Sequence, residues 1–273
     1  MAVSNVSLSS SAKTSLTSLQ QTANALQSAQ QKLATGKKVN SALDGATAFF
    51  ASQAFLDRAN DLSNVKDGVS TALQTVNAAN NGIDAVSKLV DQAKGIATAA
   101  LQTQDPTARA AFAQQFDDLR SQIDGIVADS SLNGRNLIDG TSSALTVNFN
   151  ETSTSTLTIA NTDLTSTGLG VAASTNAFAN DSDINAAFSN LTTASTKLRT
   201  TAANISDNAT IISTRSDFIS NSINTLKEAS DNLTLDDINE QAANLLALQV
   251  KNSLGISALS ISNQAQQNVL KLF

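Results

Sequence analysis

The sequence predicts a mainly α-helical protein. Its form is a long antiparallel coiled-coil hairpin, with the N- and C-terminal helices paired at one end and a small β-hairpin-containing insert at the other. Three observations lead there. Two long stretches hold apolar residues at a strict spacing of seven. A single proline, Pro106, and 11 glycines in 273 residues leave little to interrupt a helix. The one region where apolar and polar residues alternate lies between the two heptad stretches.

Residues 4–34 read as a first helix, in which Leu16, Leu19, Ala23, Leu26, Gln30 and Leu33 alternate spacings of three and four, the signature of a seam. Gly36 ends it, and Asp44 is placed to cap the next helix. From Ala46 to Gln104, Phe55, Leu62, Val69, Val76, Ile83 and Val90 recur every seven residues, with Val65, Ala72, Ala79, Val86 and Ala93 at the companion position. At ~1.5 Å per residue such a helix runs roughly 85–90 Å, too long for a globule. Pro106 is expected to break it, and a further helix to Ser130 presents Phe112, Phe116, Leu119, Ile123 and Val127 on one face.

The centre differs. Asn133-Gly134 and Asp139-Gly140 are turn signals, and the alternation in 145–150 and 157–161 predicts a β-hairpin. Residues 162–180 are rich in Ser, Thr, Gly, Ala and Asn without a period, and are read as irregular. Helix then resumes, with Leu191, Leu198, Ile205, Ile212, Ile219, Leu226 and Leu233 each seven residues apart. A break at 231–237, where Thr234 and Asp237 stand in capping-box relation, precedes a last helix. The expected divisions are 1–35, 36–140, 141–180, 181–233 and 234–273: inner helix, coil, surface insert, coil, inner helix. Val69, Val76, Ile83 and Val90 would meet Leu198, Ile205, Ile212, Ile219 and Leu226 across the intramolecular seam, each buried side chain contributing ~1.5–3 kcal/mol before entropy.

Composition excludes whole classes of function. The chain has no His and no Cys, so nothing supports a Ser/His or Cys/His nucleophile, a thiolate, or an ordinary zinc or haem site, and no cofactor is implied. The acidic pairs Asp117-Asp118 and Asp236-Asp237 are read as solvated faces or caps. The net charge of −6 and the scattered basic residues argue against nucleic acid as a partner. No apolar run approaches ~18 residues, so no membrane insertion is expected. The start, MAVSNVSLSSSAK, lacks the basic and apolar regions of a secretory signal, so any export would be signal-independent.

The terminal helices carry the functional signal. Between Thr14 and Gln31, and again between Asn252 and Leu270, there is no charged residue. Solvent-facing helices show Lys and Glu on the outer face. In the last helix, Leu245, Leu246, Leu248, Val250, Leu254, Ile256, Leu259 and Ile261 spread around the whole circumference. A buried helix pair in a monomeric bundle is one reading. Burial by other copies of the same chain is favoured, because a single partner helix cannot cover a helix apolar on several sides.

Three segments in order resemble bacterial flagellins: LATGKKVNSALDGATAFFASQ (33–53), VKDGVSTAL with SLNGRNLIDG (65–73 and 131–140), and NQAQQNVLKLF (263–273). The resemblance, to a short form with a minimal variable region, implies a structural subunit with no enzymatic activity. Such a subunit is exported unfolded by the flagellar type III apparatus with an export chaperone, and polymerises under a filament cap next to hook-associated proteins. Its terminal helices form the inter-subunit core, for which the candidate residues are Leu16, Leu19, Leu26, Leu33, Leu245, Leu248, Leu254, Leu259, Gln264, Val269 and Leu270. The small insert implies a thin filament. Leu132 opens the SLNG turn where many members carry Phe. Gln92 and Gly95 stand where immunostimulatory flagellins present Arg and Glu, so weak Toll-like receptor recognition is expected. A hook–filament junction protein, which shares these termini, is the alternative. A coiled-coil signalling domain would show heptads but would not need uncharged ends.

Smaller features complete the reading. Asn-X-Ser/Thr at Asn5, Asn150, Asn190, Asn204, Asn208 and Asn232 reflects the abundance of Ser and Thr, and Ser153, Thr154 and Ser155 are candidate O-glycosylation positions. Gly68, Gly82 and Gly95 interrupt the long helix, either for close packing or for compliance during filament switching.

Overall fold

The computed structural model describes residues 10–270, with the side chains of 12–265, 267 and 268. The start of the first helix, residues 4–9, lies outside the described residues. Five long helices, α1 (Ser10–Thr35), α2 (Ala42–Leu101), α3 (Pro106–Asp129), α4 (Asp181–Thr234) and α5 (Ile238–Leu270), account for most of the chain. Two short antiparallel hairpins lie between α3 and α4: β1 (Ser131–Leu132) with β2 (Arg135–Asn136), and β3 (Leu145–Asn148) with β4 (Thr156–Ile159). The chain divides into two compact units, one combining the chain up to Asp57 with the chain from Thr225, the other Arg58–Asn224.

In the central unit, Leu62, Val69, Val76, Ile83 and Val90 are buried every seven residues along α2, as are Leu191, Leu198, Ile205, Ile212 and Ile219 along α4. Phe55 and Val65 are half-buried. Ala113, Phe116, Ile123 and Val127 of α3 join the core, and Phe116 meets the fully buried Phe178 edge-to-face at 5.4 Å. A Cβ on Gly82 would collide with Ser130 and would stand 2.9 Å from Ile138 Cδ1, so this glycine permits close approach. Gly68 and Gly95 face open space.

Four local expectations are corrected. Pro106 does not break α2, which ends at Leu101; it opens α3 at the first position, where its missing N–H costs nothing, and Asp105 Oδ1 caps the helix by accepting from Thr107 N at 3.1 Å. Asp44 caps α2 from inside its first turn and not from ahead of it: its carboxylate reaches back to accept from Ser41 N (2.9 Å), the residue before the helix, and from Asn40 N (3.0 Å). Thr234 makes no capping box: its hydroxyl bonds back to Ser230 O, and Asp237 alone caps α5 through Asn239 N at 2.9 Å. Asp117 is no solvated face: it is half-buried and accepts from the backbone and hydroxyl of Ser174.

Residues 162–180 have little regular structure yet are firmly held. Leu164, Leu169, Val171 and Phe178 are buried. Asp117 and Asp124, seven residues apart on one face of α3, each take the N–H and hydroxyl of one serine, Ser174 (2.8 and 2.7 Å) and Ser166 (2.6 and 2.9 Å). Arg120 donates to Val171 O between them, and the buried Arg109 donates to Ala179 O and pairs with Asp181. Asn176, Ala177 and Phe178 are all left-handed, a conformation costing roughly 1–2 kcal/mol per residue. Burial of Phe178 and the grip of Arg109 on Ala179 O hold that turn.

At the base of the insert, Asp139 accepts from Thr141 N, Ser142 N, both hydroxyls and Asn161 Nδ2. Burial alone would raise its pKa. The bonds from Ser142, Asn161 and Thr141 outweigh that and hold the carboxyl well below the usual range.

Candidate assembly surface

The terminal unit is built on α1 and α5, which pack along each other. The connectors that feed them are paired: Lys37 bridges Leu235, Lys38 N donates to Thr234 O at 2.8 Å, and Asp236 N donates to Gly36 O at 3.0 Å. Gly36, left-handed at φ 67°, turns the chain out of α1 to make that pairing possible. Further along, Leu19 meets Gly255, where a Cβ would stand 3.2 Å from the leucine side chain. The two helices therefore run antiparallel.

Burial defines their shared seam. On α1 it follows Ala12, Ser15, Leu19, Thr22, Leu26, Ala29 and Leu33, spaced alternately by three and four. On α5 it follows Leu245, Leu248, Asn252, Gly255, Leu259 and Ser262 with the same rhythm. The expected companions on α1, Leu16, Ala23 and Gln30, are exposed. Serine, threonine and alanine take their place, alternating with Leu19, Leu26 and Leu33, and Gly255 leaves room for Leu19. Thr22 tolerates burial because its hydroxyl bonds Ser18 O at 2.8 Å.

The expected assembly residues therefore fall into groups. Leu19, Leu26, Leu33, Leu245, Leu248 and Leu259 are half-buried in the α1–α5 seam. Leu16, Leu254 and Gln264 are exposed. The side chains of Val269 and Leu270 lie outside the described residues. Among the seam positions expected between the long helices, all are buried except Leu226, which is half-buried.

Three residues left out of that set, together with Leu254 from within it, carry a second apolar face. Leu246, Val250 and Ile261, with Leu254, keep 62%, 60%, 68% and 65% of their surface exposed. At about 100° per residue these four cluster around a direction roughly 170° from the α1 seam. Ile256 is exposed on a flank between the two faces. The signal was present in the sequence, in the spread of leucine, isoleucine and valine around α5; burial alone shows which of them α1 covers. At the hairpin tip, Ser153 and Thr154 are exposed and Ser155 is half-buried, while the Thr154 hydroxyl accepts from Asn150 Nδ2 at 2.6 Å.

Comparison with known proteins points in one direction. A family model described as the bacterial flagellin N-terminal helical region matches residues 6–143. Flagellin FljO of Caulobacter vibrioides is 31% identical over 277 residues, covering 100% of both chains. A flagellin of Brucella melitensis is 26% identical, covering 99% of both. The crystal structure of Bacillus cereus flagellin matches with a TM-score of 0.50 at 18% identity, over 56% of this chain and 88% of that one, a likeness of fold.

Proposed function

The chain belongs to the flagellin family, and we propose that within the bacterial flagellar filament, the extracellular self-polymer such subunits build, its terminal helices form the inter-subunit core. One observation carries this reading: α5 is apolar on two opposite sides and α1 covers one of them, leaving Leu246, Val250, Leu254 and Ile261 exposed. Surfaces of this kind are buried by partners. The role is structural, with no catalytic residue invoked.

Several finer features belong to the same proposal. The long helices form the next shell, and the short insert around β3 and β4 gives a thin filament. Export proceeds through the flagellar type III apparatus with a chaperone, and assembly occurs under a cap beside hook-associated proteins. Gln92 and Gly95, both exposed, support weak Toll-like receptor recognition. Of the three hydroxyls at the insert tip, Ser153 is the one best placed for O-glycosylation. A filament subunit is favoured over a junction protein because flagellins match the chain from end to end.

The test is truncation. Removing residues 254–273 should leave the heptad helices folded by circular dichroism and abolish seeded polymerisation. Truncated chains that still pellet as long filaments would rule out the terminal core.

A further inference from the structure

The assembly reading leaves open what the outer face of α5 docks onto, and the inference below rests on that reading. A polymer that grows without closing is built from heterologous contacts, in which one surface of each subunit meets a different surface of the next. Leu246, Val250 and Ile261 supply one such surface. Its complement must be a trough with small, mostly uncharged walls.

One lies directly beside it. α1 and α5 enclose a groove of 630 Å³, walled by Thr14, Ser18 and Thr22 on one side and by Lys251, Gly255 and Ala258 on the other. Thr14, Ser18 and Thr22 form a row at intervals of four, as do Leu246, Val250 and Leu254. Rows of that kind interdigitate when two helices pack. Leu254 lines the groove and also belongs to the outer stripe, so the two surfaces are continuous. Between Leu246 and Ile261 the incoming helix carries one charge, Lys251, which at about 100° per residue lies roughly 95° from the centre of the stripe, on a flank and not among the knobs. The Thr22 hydroxyl is already bonded to Ser18 O, so covering Thr22 strands no donor there. Lys251 stands at the rim, where a flexible stem can keep its ammonium in water.

We infer that the outer stripe of α5 in one copy seats in the α1–α5 groove of the next copy, each subunit offering both halves of the contact. Knobs enter a trough on a different face, so the contact propagates.

The chain has no cysteine, which makes the test clean. Ser18→Cys is combined in turn with Leu246→Cys, Val250→Cys or Ile261→Cys, and each double variant is polymerised from seeds and oxidised. A disulfide requires Cα atoms within about 7 Å. At least one pair should give a ladder of covalent multimers in the polymer and none in the monomer. The control pairs Ser18→Cys with Gln249→Cys, beside Val250 but on another flank, and should give no ladder. Polymers that form normally yet give no ladder from any of the three pairs overturn the docking while sparing the assembly reading. Dimers alone also overturn it, because they signal a symmetric contact. Should a double variant not polymerise, the single variants spiked together into wild-type subunits give the same readout, with cross-linked pairs expected and their absence counting against the inference.

Discussion

Replacing Leu246, Val250 and Ile261 together by glutamine isolates the contribution of the outer face of α5. These side chains are 62%, 60% and 68% exposed in the single chain. Exposed substitutions typically change stability by less than about 0.5 kcal/mol, and glutamine is a good helix former, so the monomer should melt as before. In the polymer the balance differs. Full burial of such a side chain contributes about 1.5–3 kcal/mol, and roughly six-tenths of each surface remains to be covered, giving about 1–2 kcal/mol per residue. The triple variant therefore forfeits about 3–5 kcal/mol per subunit, which raises the critical concentration roughly 100- to 4,000-fold. Seeded polymerisation followed by sedimentation reads that concentration directly, with circular dichroism on the supernatant as a folding control. If the variant assembles within about threefold of wild type (under 1 kcal/mol) while remaining helical, the outer face is not an assembly surface.

Further outcomes follow from the central unit. Gly68→Ala and Gly95→Ala should each stabilise the chain by about 0.5–1 kcal/mol in denaturant unfolding, because the helix gains and nothing is displaced. Gly82→Ala should instead destabilise by about 1–3 kcal/mol through its collision with Ser130 and Ile138; a stabilising effect would mean the packing there is loose. Asp139 has a folded pKa below its unfolded one, so its contribution is present above about pH 4 and drains away as acid protonates it. Asp139→Asn should melt earlier at neutral pH and lose less on acidification, and parallel melting curves for the two proteins would contradict this. A receptor reporter assay with monomer should give a weak response, and a normal dose-response would dismiss the significance of Gln92 and Gly95.

Heptad positions such as Val76 and Ile212 were legible because a buried helix face leaves its period in the sequence without reference to distant residues. Residues 162–180 were not. Their order comes from carboxylates 42 and 57 residues away, clamping Ser166 and Ser174, and a serine carries no local mark of its partner. The α1 seam failed differently. Leu16 looked a better seam residue than Ser15 or Thr22, but which face of α1 is covered depends on where α5 lies, with Leu19 set against Gly255. The candidate site was legible as a need for partners. The direction of that need required knowing which side α1 occupies.

The sparse seam between the terminal helices also bears on when a filament begins. Among the described residues only Ala12, Thr22 and Ala29 of α1 are buried there, and no side chain of α5 is. Two free subunits that meet must immobilise both ends in exchange for one contact, whereas a subunit arriving at a finished tip finds several neighbours waiting. On the proposed assembly, this poverty of contacts raises a kinetic barrier to starting a filament in solution and directs growth to ends that already exist.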